Sequence, residues 1–408
     1  YRNSKSVPLN PLIFSFNLED NIMPVAKELA LIPISHNALI NASPLAQTIP
    51  LFRDKDGMYQ FADTLSVFGE FGFAIKAVDK REGTRNIYQF HRAQLIIDGQ
   101  VEFELDYTKI PFNQGKFAKT IIQYDLKRQN LGEFQKLYRL EEHRKTSIHA
   151  TDLSGILGLA PGFHSVEIHI FDSYGNKTIV KGTIAGTFPM TLNAKEIFRD
   201  NKVVTLALSP KRGGLAIRDA VVYNFTPYGY ADQKVEILHS EKVKKDLHIT
   251  IPISSVKDRI LQIIGINQLG GMVSPHHWTD IDPKVSVVDI HPDLKISNTE
   301  RGLFFQVDLD YYAPGKVTVR LANDNTFMSY PMTQIRPNTF LSDKLSHQIV
   351  NNMKYIDVEL NHEDLSRETR FHYLLQSVGP GEEYFSFSND RNCSVKTMPG
   401  TFFQNNVI

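Results

Sequence analysis

Histidine is the residue through which this chain could bind a catalytic metal. A hydrolytic zinc site needs two or three neutral imidazoles, usually with a carboxylate, around one ion that keeps a position open for water. The sequence has fourteen histidines, but no His-x-His and no His-Glu-x-x-His pattern. His164 and His169 are five apart on a predicted strand, so they point to opposite faces and cannot share a metal. His276 and His277 lie in a predicted loop and also diverge.

The other titratable candidates are interpreted as structural. His143 and His149 lie in a charged stretch that predicts a solvated loop. Asp172, in FDSYGN, is typical of a turn in which the carboxylate accepts backbone N–H groups while Gly175 or Asn176 adopts the left-handed conformation. A calcium ion at Asp172 would need six or more oxygens, and we find no Asp-rich cluster that supplies them.

Covalent catalysis and phosphate binding are not indicated. Cys393 has no histidine near it in the sequence, and no Gly-x-Ser-x-Gly elbow occurs. The stretch 209–219 has glycines and basic residues but lacks the Gly-Lys-Ser/Thr ending of a phosphate loop. The basic stretch 136–145 is diluted by two glutamates and does not predict a nucleic-acid surface. We therefore predict no catalytic, cofactor-binding or metal-binding residue in this chain.

Aromatic residues offer a binding alternative. They form 11% of the chain and are almost all Phe and Tyr, with a single Trp. Tyr223, Tyr228 and Tyr230 could expose flat rings to a saccharide. The competing interpretation is that Phe and Tyr fill the cores and surfaces of β-sheets.

The composition is that of a folded protein with several domains. A chain of 408 residues is too long for one ordinary hydrophobic core. Lys plus Arg and Asp plus Glu are both 45, so the zero net charge gives no global attraction to nucleic acid or to an anionic surface. No apolar run approaches the roughly 18 residues of a spanning helix. A single cysteine excludes an internal disulfide.

Short strands separated by turns dominate the pattern and predict a mainly β fold of tandem immunoglobulin-like antiparallel β-sandwich domains. Hairpins are predicted at Asp98-Gly99, Tyr174–Asn176 and Pro314-Gly315, where turn residues separate alternating apolar runs. Helix is predicted only at 115–130, which could also be a strand, and as one turn capped by Asp152. Further strands are predicted at 202–208, 234–239, 246–251, 259–266 and 284–290.

Segments with proline and glycine at 185–193 and 274–284 predict two linkers. They divide the chain into β-sandwich domains at 17–186, which carries a partly helical insertion, at 187–283 and at 284–408. The last of these could run into a further, truncated domain.

The opening residues YRNSKSVPLNPLIF resemble the C-terminal end of the lysostaphin-type zinc metallopeptidase domain, the family that cuts peptide cross-links in bacterial cell walls. In that family a His-x-His motif continues as Phe-Glu-x-Arg, and an Asn-Pro closes the domain. Tyr1-Arg2 resembles the x-Arg position, and Asn10-Pro11 resembles the closing pair. The resemblance implies that residues 1–16 are the tail of a truncated peptidase domain, with residues 1–8 extended and poorly packed.

A second resemblance covers roughly residues 1–186. It rests on Asp20 with Pro24, on GEFGFAIKAVD (69–79), on Asp98-Gly99 and on HSVEIHIFDSYGN (164–176). In order and spacing these segments are similar to the β-sandwich region that follows such a peptidase domain in envelope proteins of Bacteroidetes-like bacteria.

Together the resemblances imply a non-catalytic region of an envelope protein whose other part is a zinc metalloendopeptidase acting on peptidoglycan. The expected zinc would belong to that peptidase domain and not to this chain. The implied location is the periplasm, the cell envelope or the outside of the cell, with peptidoglycan or another envelope component as partner. The alternatives left open are a surface adhesin or glycan-binding module without peptidase activity, and an accessory region of a hydrolase of different chemistry.

Overall fold

The computed structural model describes the chain from Asp20 to Val407 apart from short gaps. The predictions for residues 1–16, for most of the strand at 284–290, for His143 and for Cys393 lie outside the described residues. The gaps are at 56, 62–63, 84, 109, 112–119, 141–145, 147, 212–213, 282–289, 300–301, 313–314, 363–367, 375–376, 379–383, 388–393 and 398–405.

The chain forms two compact units. The first unit takes the chain up to Met190 together with Ile266–Val273, and the second takes Thr191–Gly265 together with Ser274–Ile408. Strands predominate in both, as the sequence predicts, and helices are short.

The first unit contains thirteen named strands and one helix among its described residues. They are β1 (Val25–Pro33), β2 (Leu39–Ile40), β3 (Gln47–Pro50), β4 (Phe52–Arg53), β5 (Tyr59–Gln60), β6 (Leu65–Phe68), β7 (Phe71–Lys80), β8 (Ile87–Tyr88), β9 (Arg92–Ile97), β10 (Gln100–Asp106), α1 (Tyr124–Arg128), β11 (Gln135–Lys136), β12 (Gly162–Phe171) and β13 (Lys177–Gly186).

These strands form two sheets. One has the order β11-β7-β1-β3, with β8 beside β7, and the other has the order β10-β9-β12-β13-β5-β4, with β6 beside β13 and β2 beside β6. Most pairs are antiparallel, but β5 and β6 both run parallel to β13.

A single hydrophobic core joins the inward faces of these two sheets. Phe73 and Leu29 enter it from the first sheet, and Phe103, Ile168 and Ile184 enter it from the second. All five side chains are fully buried. Removing such a side chain from water contributes about 1.5–3 kcal/mol, so this core is the main force that holds the two sheets together.

The second unit contains the remaining elements, apart from Ile266 and Asn267 at the end of β20 (Ile260–Asn267), which belong to the first unit. They are β14 (Leu192–Arg199), β15 (Val203–Pro210), β16 (Ile217–Phe225), β17 (Ala231–Lys234), β18 (His239–Val243), β19 (Asp246–Pro252), a 3₁₀ turn (Ile253–Ser255), β20 (Ile260–Asn267), β21 (His276–Thr279), β22 (Pro292–Thr299), β23 (Gly302–Leu309), β24 (Gly315–Ala322), β25 (Phe327–Pro331), β26 (Thr333–Arg336), β27 (Thr339–Leu341), α2 (His347–Asn351), β28 (Tyr355–His362), β29 (Glu368–Leu374), β30 (Ser377–Val378), β31 (Tyr384–Phe387), β32 (Ser394–Thr397) and β33 (Asn406–Val407).

Four four-stranded sheets account for most of the second unit. The first two have the orders β14-β15-β19-β18 and β17-β16-β20-β21, and β16 contacts both β15 and β19 across them. The other two have the orders β22-β23-β27-β26 and β25-β24-β28-β29, and one hydrophobic cluster draws residues from both. Two short ribbons, β30 with β33 and β31 with β32, complete the described strands.

Two of the three predicted hairpins are confirmed. β9 and β10 pair antiparallel around Asp98-Gly99, and both turn residues have positive φ, 49° and 80°. β12 and β13 pair antiparallel around Tyr174–Asn176. The hairpin at Pro314-Gly315 is wrong, because β23 pairs with β22 and β27 whereas β24 pairs with β25 and β28. Pro314 itself lies outside the described residues, and turn residues between β23 and β24 do not make these strands a pair, because they belong to different sheets.

Several local predictions need correction. The helix predicted at 115–130 is reduced, among the described residues, to α1 and a short 3₁₀ segment before it. The turn at 152–157 is not helical; Leu157 instead forms a β-bridge with Phe71. The strand predicted at 234–239 is replaced by the end of β17 and the start of β18 with a loop between them.

The turn at Asp98-Gly99 gives a stability prediction. Gly99→Ala is expected to cost about 1 kcal/mol, because φ is +80° and an L-residue is strained there although space around it is open. Urea denaturation measures the cost. Gly158→Ala is the matched control, since it also lies in open space but has no positive φ. Equal stability losses for the two variants would contradict the argument.

Candidate functional site

Three aspartates of the first unit lie at one end of its core. Asp79 is in phase with Phe73 and Ile75 on β7, so strand alternation turns it towards the core. Asp172 follows β12 and continues the inward row of Val166, Ile168 and Ile170 in the same way. In each of the two sheets, a row of buried apolar side chains along one strand is therefore followed by a buried aspartate.

Asp20 reaches the same place from the segment before β1. β1 and β7 are antiparallel, and Val25 pairs with Val78, so the residues before β1 lie near the end of β7. Asp20, Asp79 and Asp172 are 7%, 6% and 2% exposed. We call these three residues the aspartate cluster.

Asp172 holds the turn between β12 and β13. Its Oδ1 accepts the backbone N–H groups of Tyr174 and Asn176, both at 2.8 Å. Gly175 has φ +92°. The predicted turn role of Asp172 is thereby confirmed, with Gly175 as the left-handed residue.

Asn176 connects two members of the aspartate cluster. Its Nδ2 donates to the carbonyl oxygen of Asp20 at 2.8 Å and to Oδ2 of Asp172 at 2.6 Å. Two residues on, the hydroxyl of Thr178 donates to the carbonyl oxygen of Pro24 at 2.5 Å. The turn after β12 thus fixes the chain segment that enters β1.

Asp79 is the member with unmet hydrogen-bonding capacity. Its Oδ1 is fully buried and has no hydrogen-bond partner. Burial, and then the negative charges of Asp172 and Asp20, raise the pKa of Asp79 to about 6; the backbone N–H of Lys80 and the charge of Arg81 lower it, but by less. The protonated form of Asp79 is therefore far more accessible near neutral pH than that of an ordinary aspartate.

Arg81, whose positive charge lowers the pKa of Asp79, contacts the ring of Tyr174. The guanidinium of Arg81 lies 4.8 Å from the ring centroid of Tyr174 and donates a hydrogen bond to its hydroxyl. Arg81 has the smallest of the five effects on the pKa of Asp79. The positive charge compensates only part of the negative charge in the aspartate cluster.

The histidines of β12 are arranged as the sequence predicts. The strand has no register shift, so His164 and His169 face opposite sides of the sheet. His164 Nδ1 lies 2.7 Å from Asp98 Oδ2, and this hydrogen bond raises the pKa of His164. His169 Nε2 lies 2.9 Å from Glu167 Oε2. Each of the two imidazoles therefore pairs with its own carboxylate at the surface, and they share no ligand.

The predicted loop at His276-His277 is wrong. Both residues belong to β21, which pairs with β20. Burial is the main cause that lowers the pKa of His277 to about 3, and its Nε2 lies 3.2 Å from Gln262 Oε1. His276 and Asp280 have a His-x-x-x-Asp spacing that the sequence analysis missed, but Asp280 pairs with Arg199 at 3.2 Å.

The solvated loop predicted around His149 is also wrong for that residue. His149 is 6% exposed, and its Nδ1 accepts the backbone N–H of Thr146 at 3.1 Å. Its ring lies 5.9 Å from that of Phe103. An imidazole can be buried in this charged stretch because the polar nitrogen finds a backbone partner.

Two of the three candidate tyrosines are exposed. Tyr228 is 64% and Tyr230 is 73% exposed, whereas Tyr223 is half-buried. The ring of Tyr228 meets that of Tyr311 edge to face, with centroids 5.4 Å apart. Beside this loop, the buried Oδ1 of Asn338 has no hydrogen-bond partner. We call Tyr228, Tyr230 and Tyr311 the tyrosine patch.

Within the described part of the chain, no three His, Cys, Asp or Glu side chains are already arranged to hold a metal ion. The same residues include no helix that is long and apolar enough to cross a membrane.

Sequence analysis missed Asp20 and Asp79 as partners of Asp172. A signal was present: Phe73-x-Ile75-x-Ala77 and Val166-x-Ile168-x-Ile170 are two alternating rows, and each is followed in phase by an aspartate. An acid at an inward position of a strand is unexpected, because unpaired carboxylates are rarely buried. The sequence does not show that these two strands face the same core, and without that knowledge the two aspartates do not predict a shared polar site.

The chain matches no protein-family model, and a search of curated proteins finds no relative.

Proposed function

We propose that this chain is a non-catalytic region of tandem immunoglobulin-like β-sandwiches from a bacterial envelope protein. The parent protein would carry a lysostaphin-type zinc peptidase domain that cuts peptidoglycan cross-links, with its zinc outside this chain. The region would attach that domain to peptidoglycan or to another envelope component, in the periplasm, in the envelope or outside the cell.

One observation carries the proposal. Three of the segments that resemble the envelope proteins contribute Asp20, Asp79 and Asp172, and the fold brings these residues together in the aspartate cluster. The segments that resemble the envelope proteins are far apart in the sequence, yet each contributes one aspartate to the same buried region. We expect this when two proteins share a fold. The paired four-stranded sheets of the second unit favour further sandwiches.

The proposal predicts binding without cleavage. The purified chain is expected to co-sediment with insoluble peptidoglycan and to release no soluble peptides from it. The measurement is the fraction of chain in the pellet, with mass spectrometry of the supernatant. A chain that stays in solution at every peptidoglycan concentration would overturn the attachment role, and released peptides would overturn the non-catalytic role.

A second candidate is saccharide binding at the tyrosine patch, in an adhesin without peptidase activity. The exposure of Tyr228 and Tyr230 favours it, because aromatic rings stack on the apolar faces of sugars. The double variant Tyr228→Ala with Tyr230→Ala is then expected to weaken glycan binding about tenfold. Phe327→Ala is the control, since Phe327 is 61% exposed but lies on β25. Equal affinities for the two variants would exclude the tyrosine patch.

A further inference from the structure

We propose that the imidazolium of His164 holds the segment 157–161 in place in the first unit, and that the neutral ring releases this segment. We call 157–161 the crossover, and we call His164 with its two partners, Asp98 and Ala160, the histidine clasp. The clasp lies where β7 and β12 begin, at the end of the core opposite the aspartate cluster. The inference does not depend on the peptidase resemblance, because it rests on contacts within the fold.

The crossover joins the two sheets of the first unit. Leu157 exchanges two backbone hydrogen bonds with Phe71 at the start of β7, at 2.8 and 2.9 Å. The chain then enters β12 at Gly162, in the other sheet. Between these points Leu159 packs against the core, whereas Ala160 is exposed. The path of the crossover therefore depends on few contacts.

Gly186 of β13 gives the carbonyl group of Ala160 room to approach the sheet. A Cβ atom at Gly186 would lie 1.9 Å from the carbonyl oxygen of Ala160 and 3.4 Å from that of Leu159. Gly186 does not have a positive φ, so space and not backbone conformation excludes a side chain here. The carbonyl group of Ala160 is thus closely packed in the position where His164 contacts it.

Both ring nitrogens of His164 face oxygens that can only accept. Nε2 lies 2.9 Å from the carbonyl oxygen of Ala160, and Nδ1 lies 2.7 Å from Oδ2 of Asp98. An imidazole donates from both nitrogens only when it is protonated, because the neutral ring has a single N–H. The geometry of the histidine clasp therefore requires the imidazolium.

The surroundings of His164 favour the same protonation state. The hydrogen bond to Asp98 is the largest effect on the pKa of His164 and raises it; burial lowers it, but by less. The cross-strand partner on β13 is Ile184, and Val166 lies on the same face of β12; both are uncharged. Among the residues that the structure describes, Asp98 is the charged group with a resolved effect on this pKa.

Loss of the proton breaks one of the two contacts. The carboxylate of Asp98 is the stronger acceptor because it is charged, so the remaining N–H stays on Nδ1. The lone pair of Nε2 then faces the carbonyl oxygen of Ala160, and the two repel. Since the pKa is raised in the folded protein, the clasp is closed below the ordinary imidazole value of 6.5 and opens as the pH rises through the folded value.

Nuclear magnetic resonance of the full chain tests the proposal. With ¹⁵N-labelled histidine, both ring nitrogens of His164 are expected to carry a proton at about pH 6, and the ring should titrate above about 6.5. The ¹⁵N heteronuclear NOE of the Ala160 amide measures the order of the crossover and should fall at the same midpoint. A midpoint at or below about 6.5, or an Ala160 NOE that does not follow the titration, would overturn the clasp.

A pair of glutamine variants separates the clasp from a general effect of pH. His164→Gln takes up no proton, so its Ala160 NOE is expected to be low and independent of pH. His169→Gln is the matched control, because His169 lies on the same strand and its Nε2 is 2.9 Å from Glu167 Oε2, but it faces the other side of the sheet. This control should keep the pH response of wild type; loss of the response in both variants would contradict the role of His164.

Asp98→Asn tests the charge within the clasp. Asparagine tolerates the positive φ of this turn, and its amide oxygen still accepts a hydrogen bond, but the negative charge that favours the imidazolium is removed. The titration midpoint of His164 should therefore fall, and the crossover should be released at a lower pH than in wild type. An unchanged midpoint would show that Asp98 does not stabilise the imidazolium, and the clasp would be wrong.

Discussion

Asp172→Ala is expected to lower the free energy of unfolding of the first unit by about 3 kcal/mol. Three donors would lose their acceptor: the backbone N–H groups of Tyr174 and Asn176, and Nδ2 of Asn176. Asp172 is 2% exposed, so water does not replace it. Hydrogen bonds to a charged group contribute about 1.5–3 kcal/mol each. Relief of the repulsion between Asp172 and Asp79 offsets part of their sum.

The measurement is urea denaturation at neutral pH. Asp172→Asn should cost less than Asp172→Ala, because an amide oxygen can still accept the two backbone N–H groups. Asp200→Ala is the matched control: Asp200 Oδ1 accepts the N–H groups of Lys202 and Val203 in a similar turn, but on the surface. If Asp172→Ala and Asp200→Ala lost similar stability, burial would not be what makes Asp172 important.

The sequence predicts the fold well wherever local signals decide it. The hairpin at Asp98-Gly99 follows from residues that tolerate positive φ between two alternating runs. The failure at Pro314-Gly315 has a different origin, because β23 and β24 have the alternation and the turn residues of a hairpin but lie in different sheets. A turn motif indicates where a strand ends, whereas the partner of each strand depends on distant segments such as β27 and β28.

The site was less predictable than the fold. Asp172 could be assigned to a turn because its partners, Tyr174 and Asn176, follow within four residues. Asp79 and Asp20 join it only through the pairing of β1 with β7 and the packing of two sheets on one core. His149 shows the same limit, because a charged neighbourhood in sequence does not reveal that the ring packs near Phe103. Long-range packing decided each of these cases.

Asp79→Asn is expected to stabilise the first unit by about 2 kcal/mol at pH 7.5, against the usual trend for buried polar residues. The folded protein raises the pKa of Asp79 from 3.8 to about 6, mainly by burial and by the charges of Asp172 and Asp20. A shift of that size corresponds to about 3 kcal/mol of destabilisation when Asp79 is ionised. Asparagine has nearly the same volume as aspartate but no charge, so the repulsion is removed. We subtract about 1 kcal/mol from this stabilisation because an amide NH₂ must be accommodated where a carboxylate oxygen lay.

The sign of the pH dependence follows from the raised pKa. Because the folded state binds the Asp79 proton more tightly than the unfolded state, this group costs its full stability above about pH 6, and the cost falls to nothing as the pH approaches 3.8. The stabilisation of Asp79→Asn relative to wild type should therefore be largest at pH 7.5 and fall steadily towards pH 4, where only the cost of fitting the amide remains, which does not depend on pH.

Urea denaturation of both proteins at several pH values between about 4 and 8 measures this difference. Asp219→Asn, at an exposed aspartate of the second unit, is the control and should show a small difference that changes little with pH. If Asp79→Asn were less stable than wild type at every pH, the ionised carboxylate of Asp79 would be making favourable contacts in the folded protein. The repulsion inferred between the charges of the aspartate cluster would then be wrong.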